Sequence, residues 1–246
     1  MLKKHTKQEQ AFIQKVRQTA GKAINQYQMI EADDKVMVAV SGGKDSLALL
    51  EILSNRRKGL PIDYELHAAH IITEDVPYQI DVDWLQSFCT ELNVTLHLVT
   101  TRANLETAGK KKPCFACSRN RRKELFKLTH SLGIKTLAFG HHLDDAVETL
   151  VMNMAQHANI SSIPASLNMF ENKLKVIRPL TLLTNEEMKN YATLQGFQSL
   201  KRECPYEDHT IRLKARRIID QMTSINPKAR INIFNSMKKI DFEYLP

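Results

Sequence analysis

Five apolar residues, Val36-Met37-Val38-Ala39-Val40, run straight into Ser41-Gly42-Gly43-Lys44-Asp45-Ser46 and then Leu47-Ala48-Leu49-Leu50. The apolar run reads as a short buried strand, the two glycines turn the chain, and a helix begins at a serine. That geometry gathers backbone N–H groups and the positive end of a helix dipole around one small space, which is a receptor for phosphate. Lys44 adds a cation, and Asp45 adds a carboxylate able to hold a magnesium ion or a proton. The segment matches neither Gly-x-x-x-x-Gly-Lys-Ser/Thr nor Gly-x-Gly-x-x-Gly. The plainer alternative is an ordinary turn, with Gly42-Gly43 for flexibility and Ser41 as an N-cap. It leaves the run of phosphate-suited residues at a strand's carboxyl end without an explanation.

Apolar spacing places the rest of the chain around this turn. Residues 6–28 read as an amphipathic helix through Phe12, Ile13, Val16 and Ala20. Strands are expected at 35–40, 64–71, 94–99 and 136–139, and helices at 46–57, 78–92 and 118–132, with another starting near Leu143. Residues 101–117, with Gly109, Lys110-Lys111-Lys112 and Pro113, look like an exposed loop. Strands alternating with helices imply an α/β fold with a doubly wound parallel sheet. Residues 157–175 look irregular, 177–180 could be a last short strand, and helices are expected at 185–195, 208–222 and 227–239. The 246 residues suit one substantial domain with appendages. We read 1–30 as an N-terminal helical appendage, 31–182 as the nucleotide-binding catalytic domain and 183–246 as a helical region packed on it.

The formal net charge is +8 and unevenly placed: residues 101–125 carry eight Lys/Arg against two acids, and residues 1–30 carry six against one. Such clustering suits a polyanionic partner; the alternative is a solvated basic surface. Aromatic content is low, which does not suggest a single-strand stacking platform. No apolar run approaches membrane-spanning length. The basic start Met1-Leu2-Lys3-Lys4-His5-Thr6-Lys7-Gln8 leads to no apolar core or cleavage site, so a cytoplasmic location is expected and no membrane partner.

Of the four cysteines, Cys89 sits at helical spacing and reads as core. Cys114-Phe115-Ala116-Cys117 places two thiols where both can reach one metal, a pattern compatible with zinc, an iron–sulfur cluster or redox chemistry. Cys204 is the remaining thiolate, and His209 could complete a closed zinc site instead. Three sulfurs around a four-iron cluster would leave one iron open. In an open parallel sheet the carboxyl ends of the strands bring together Ser41–Ser46, His70-Ile71 and Gly140-His141-His142-Leu143-Asp144-Asp145. The last segment is rich in acid–base groups, although two acids in a helix's first turn also favour its dipole.

Three motifs carry a family resemblance: Ser41–Ser46, Cys114-Phe115-Ala116-Cys117-Ser118-Arg119-Asn120-Arg121-Arg122, and Gly140–Asp145. Together with Gly21–Ile24 and Met29–Val38, they resemble the TtcA-like tRNA 2-thiocytidine synthetases, a group of the PP-loop ATP pyrophosphatases. The likeness spans roughly residues 12–240. It implies ATP-dependent thiolation of a tRNA cytidine at position 32, with ATP, Mg2+ and a [4Fe-4S] cluster as cofactors. It gives the ATP phosphates to Ser41, Gly42, Gly43, Lys44, Asp45 and Ser46, and the adenosine to the backbones of Ala39, Ile71 and Gly140. The cluster falls to Cys114, Cys117 and Cys204, and catalysis to Asp45, Asp145 and Arg121. Arg121 stands where relatives have a catalytic lysine, Leu143 replaces a basic residue of many members, and Cys204 stands alone where some have Cys-x-x-Cys. Lys110, Lys111, Lys112, Arg119 and Arg122, with the basic C-terminal helices, are the expected RNA contacts. A sulfur donor such as a cysteine desulfurase and a homodimer are further implications. The alternatives are a thiolase of another base, a persulfide mechanism, and a non-catalytic zinc and RNA-binding protein.

Overall fold

A computed structural model describes residues 5–59, 63–76, 80–102, 113–197 and 211–244. The chain opens with α1 (Lys7–Gln26), whose start is fixed by a capping box between Thr6 and Glu9. It continues through β1 (Lys35–Ala39), α2 (Lys44–Lys58), β2 (Glu65–Thr73), α3 (Val82–Glu91), β3 (Thr95–Thr101) and α4 (Pro113–Ser131). Then follow β4 (Thr136–Ala138), α5 (Leu143–His157), β5 (Ser166–Met169), β6 (Leu174–Ile177), α6 (Asn185–Gln195), α7 (Ile211–Ile225) and α8 (Ala229–Ser236).

Among the described residues the strands form one sheet in the order β3-β2-β1-β4-β6-β5. All neighbours pair in parallel except β5 with β6. The chain winds outward from β1 to β3 and then returns to the other side of β1 as β4. The crevice beyond the carboxyl ends of β1 and β4 is therefore the place where such a sheet binds its ligand. Val36 and Val38 align with Thr136 and Ala138, which sets the ends of the two strands side by side.

One face of the sheet is covered by α1, α2, α3 and α6 around an apolar core that includes Val16, Leu49, Leu50, Leu85, Met188 and Tyr191. Helix α2 is buried from Ser46 to Ser54, on nearly every side, because it lies between the sheet and two other helices. Its buried Glu51 is bound by Arg17 of α1, Tyr191 of α6 and Asn55. Burial and the neighbouring carboxylate raise the Tyr191 hydroxyl far above its ordinary value. On the other face Leu125 and its neighbours on α4 pack over Met37, Leu137 and Val176. Helices α5, α7 and α8 share a third cluster through Leu143, Val147, Ile219 and Phe234. No helix among the described residues is long and apolar enough to cross a membrane.

The α/β alternation and the doubly wound sheet are as the sequence predicts, and Cys89 is a core residue whose thiol burial pushes up to about 11. Three segments differ. The expected loop 101–117 gives way to helix at Pro113, so Cys114 and Cys117 lie in the first turn of α4. Proline is suited to a first helical position, where its missing N–H costs nothing. The expected irregular stretch 157–175 contains β5, and the last strand covers Leu174–Ile177 rather than 177–180. Finally, α2 begins at Lys44, with Gly43 as its N-cap, rather than at a serine.

Candidate active site

The turn after β1 is held by its own hydroxyls. Val40 N–H still bonds to Ala69 of β2 (2.8 Å), and the chain then reverses through Gly42 at φ +79°. That is a left-handed conformation glycine adopts without a Cβ penalty. The Ser46 hydroxyl accepts the Ser41 N–H (3.1 Å) and donates to the Gly43 carbonyl (2.9 Å). The Ser41 hydroxyl accepts the Gly43 N–H (3.3 Å). No side chain caps α2, so the positive end of its dipole faces the crevice. Lys44 Nζ lies 2.7 and 2.8 Å from the Asp45 carboxylate oxygens and 3.0 Å from Asn185 Oδ1.

Two residues from neighbouring strands close on this turn. A Cβ on Gly140 would stand 2.9 Å from the Asp45 carbonyl carbon and 3.0 Å from the Ser46 nitrogen, so only glycine allows the approach. The buried His70 in the carboxyl half of β2 is 2.8 Å, through Nδ1, from the Val40 carbonyl, which calls for the N–H on that nitrogen. Burial lowers the His70 pKa, that bond raises it in part, and the Arg121 guanidinium lowers it again.

The opposite wall is made of charges. Asp145, in the first turn of α5, accepts the His142 N–H (3.0 Å) and a bond from Arg212 of α7 (2.7 Å). Burial pushes its carboxyl up, but His142, His141 and Arg212 outweigh that and hold it below the usual range. Next to it, Asp144 accepts the Asn185 N–H (2.7 Å) and Arg230 of α8 (3.0 Å). One turn on, Glu148, only 1 % exposed, accepts Arg216 (2.7 Å), while its other oxygen has no hydrogen bond and faces Arg212 at 3.8 Å. His141 is pushed down to about 4 by burial, with Arg178, Arg212 and Arg122 adding to the effect against Asp145. Arg178, lowered to about 10 by burial and by Arg122, donates to the Pro164 carbonyl (2.6 Å).

Between these walls lies a cleft of about 420 Å³, within the range of small-molecule sites. The structure brings to it Ala39, Ser41, Gly43, Asp45, Ser46 and Ile71 on one side, and Arg121, Arg122, Gly140 and Asp145 on the other. Gly42 and Lys44 belong to the same turn without lining the space. Arg119 lines a neighbouring groove. Cys117 is half-buried one residue before Ser118, which does line the cleft. Lys110, Lys111, Lys112, Cys204 and His209 lie outside the described residues, as does the side chain of Cys114. The basic C-terminal helices, expected to meet RNA, spend Arg212, Arg216 and Arg230 on the acids of α5. Those arginines, with Arg178 and Asn185, are what sequence reasoning missed. The four-residue spacing of Arg212 and Arg216 was a signal, because it puts both on one helical face.

A family described as the PP-loop domain matches residues 5–237. Among curated proteins, the tRNA-cytidine(32) 2-sulfurtransferase of Pelobacter propionicus is 31% identical over 96% of this chain and 90% of its own length. The enzyme of that name from Burkholderia mallei is 34% identical over 93% of this chain and 70% of its own length. Among solved structures, the U34-tRNA thiolase NcsA from Methanococcus maripaludis, with its [4Fe-4S] cluster, is similar at a TM-score of 0.78. It shares 24% identity and is covered over 97% of this chain and 81% of that one, a likeness of fold.

Proposed function

The chain belongs to the PP-loop family that includes the tRNA-cytidine(32) 2-sulfurtransferases, and on that premise we propose that it uses ATP to replace the C2 oxygen of a tRNA cytidine, at position 32, with sulfur. One observation carries this reading. The phosphate cradle and the ionised Asp145 line a single cleft together with Ser118, one residue after Cys117 on α4.

The C2 oxygen of cytosine is a poor leaving group and must first be activated. Its attack on the α-phosphate of ATP forms an oxygen–phosphorus bond and breaks the bond to the β-phosphate, releasing pyrophosphate. The N–H groups of residues 41–46 and the start of α2 would neutralise the charge that builds on the phosphates. Lys44 would exchange its Asp45 and Asn185 partners for phosphate oxygens. Asp45 would hold Mg2+, which adds further charge neutralisation when bound. The backbones of Ala39, Ile71 and Gly140 would receive the adenosine. Asp145, held low by its neighbours, would take up a proton or orient the base. Arg121, always charged, would stabilise phosphate rather than carry a proton.

The donor set at the start of α4 fits a thiolate-held group, since Cys114 and Cys117 are three residues apart on one helix. With Cys204 they would hold a [4Fe-4S] cluster, which when bound supplies the site that delivers sulfur. Sulfur attack at C2 then expels AMP. Lys110, Lys111, Lys112, Arg119 and Arg122 would contact the RNA backbone. A cysteine desulfurase would furnish the sulfur as a persulfide, a dithiol reductant would supply the two electrons that release it at the sulfide level, and we place the working enzyme in the cytoplasm as a homodimer, in three parts: residues 1–30, 31–182 and 183–246.

A single-turnover assay tests the first half of the reaction. With purified protein, Mg2+ and a tRNA carrying C32, ATP should yield AMP and pyrophosphate, and a tRNA with U32 should lower AMP to background. Equal AMP from both tRNAs, or ADP as the product, contradicts the proposal.

A further inference from the structure

Beside the cleft, and sharing Ser118 and Arg122 with it, runs a larger groove of about 1180 Å³ between α4 and the β5–β6 hairpin. It extends from Phe115 to Gly133, a length of about 25 Å by the rise of a helix. Its basic residues are Arg119, Arg122, Lys123, Lys127, Lys135 and Lys173, and among the described residues no Asp or Glu lines it. Lys127 is bridged to Glu124 (2.8 Å) and Lys173 to Glu171 (3.7 Å) just outside it. An aromatic ring stands on each wall: Phe115 on α4, 56% exposed, and Phe170 on the hairpin turn, 54% exposed.

Phe170 is held out by an unusual backbone. Phe170, Glu171 and Asn172 have φ of 53°, 57° and 65°, three successive left-handed residues with no glycine among them. Such conformations are costly for residues with a Cβ. The edge of Phe126 on α4 packs against the Phe170 ring at 5.6 Å between centroids and sets its position over the groove.

We propose that this groove is the docking surface for the single-stranded part of the tRNA anticodon loop. Its cations take the phosphates, and Phe115 and Phe170 take unstacked bases. The proposal rests on the tRNA-thiolation reading and adds to it the path by which the RNA reaches the cleft. Charge is the first argument, since six cations with no carboxylate lining the groove among the described residues are complementary to a polyanion. Adjacency is the second, since the groove shares Ser118 and Arg122 with the nucleotide cleft and a target base must leave its stack to enter that cleft. The third is the pairing of cations with exposed rings, the means by which proteins grip single-stranded RNA. The low aromatic content of the sequence hides it because two rings suffice.

The test is tRNA binding, measured by fluorescence anisotropy across a salt series, on three variants of the full chain. Lys123→Glu with Lys173→Glu should weaken binding at least about tenfold and flatten the log–log salt slope by about 1.4. Phe170→Ala should weaken it about fivefold or more without changing that slope. Lys22→Glu with Lys189→Glu makes the same change in net charge on exposed positions of α1 and α6, and should retain most of the affinity. All three should bind ATP as the parent does, which reports on folding. Parent-like tRNA binding by both groove variants, or equal weakening by the control pair, overturns the groove and leaves the thiolase reading standing. Failure of the parent protein to bind any tRNA overturns both.

Discussion

The wall of the cleft formed by residues 41–46 is built from backbone and hydroxyl groups of one short segment, whereas the facing wall is built from charges carried by three helices. In the first, Ser41 and Ser46 bond to atoms within five residues of themselves. In the second, Asp145 meets Arg212 across 67 residues, Glu148 meets Arg216 across 68, and Asp144 meets Arg230 across 86. The hydroxyl bonds that shape the first wall all lie within the segment between β1 and α2. The second exists only once α7 and α8 have docked. Damage should therefore act differently on the two: a change in the turn should remove chemistry, and a change among the arginines should remove stability first.

The largest effect is expected at the turn. Gly140→Val drives a side chain into the Asp45 and Ser46 backbone, and a displacement of about 1 Å there should lower ATP-dependent turnover about 100-fold. Turnover within a few-fold of the parent would show that the turn does not need this close approach. On the charged wall, Arg216→Ala leaves the buried Glu148 carboxylate without its hydrogen-bonded partner. We expect about 2 kcal/mol of stability lost in urea unfolding, below the figure for a wholly buried pair because Arg216 is partly exposed. Glu148→Gln in the same chain should recover part of that loss, and no recovery would mean that the pair is not what joins α5 to α7.

The acid response of the same wall is graded with pH. The pKa of His141 is depressed from 6.5 to about 4 in the folded chain, so the unfolded chain binds the proton more readily. This residue's contribution to stability is complete above pH 6.5 and is lost as pH falls towards 4, by at most about 1.4 kcal/mol per pH unit. Asp145, depressed below its ordinary value, adds a loss of the same sign only at lower pH, as its carboxyl protonates. His141→Phe should flatten the pH 6.5 to 4 portion of the stability profile, and an unchanged profile would assign the acid loss elsewhere. Smallest is Ser41→Ala, which removes an acceptor for the Gly43 N–H and should raise the KM for ATP about threefold with little change in stability.

The same contrast governs what could be read from the chain before its structure. Ser41–Ser46 were legible as a phosphate cradle because the strand, turn and helix start that make it are contiguous in sequence. Gly140 and His70 could be placed near it by topology alone, since Gly140 follows β4 and His70 lies in the carboxyl half of β2, the two strands that flank β1. The arginine clamp could not, because charges on α7 identify no partner until the helices are packed. β5 escaped notice because it is a half-exposed edge strand closed by Phe170-Glu171-Asn172, a turn without the glycine or Asn-Gly that marks a hairpin. The start of α4 was obscured by three lysines and a proline, which read as a loop although proline suits a helix's first position. That misplacement mattered, since it is the helix that sets Cys114 and Cys117 three residues apart on one element, just ahead of Ser118, which lines the cleft.

The central claim is that the cradle and the cysteine-bearing helix serve one reaction on one base. Nucleoside analysis of tRNA from a strain lacking this gene, complemented with the parent or with Cys117→Ser, tests it most directly. The account predicts that 2-thiocytidine disappears on deletion, returns with the parent and stays absent with Cys117→Ser, although that variant still binds ATP. Unchanged 2-thiocytidine with loss of a different thionucleoside, or full restoration by Cys117→Ser, would contradict it.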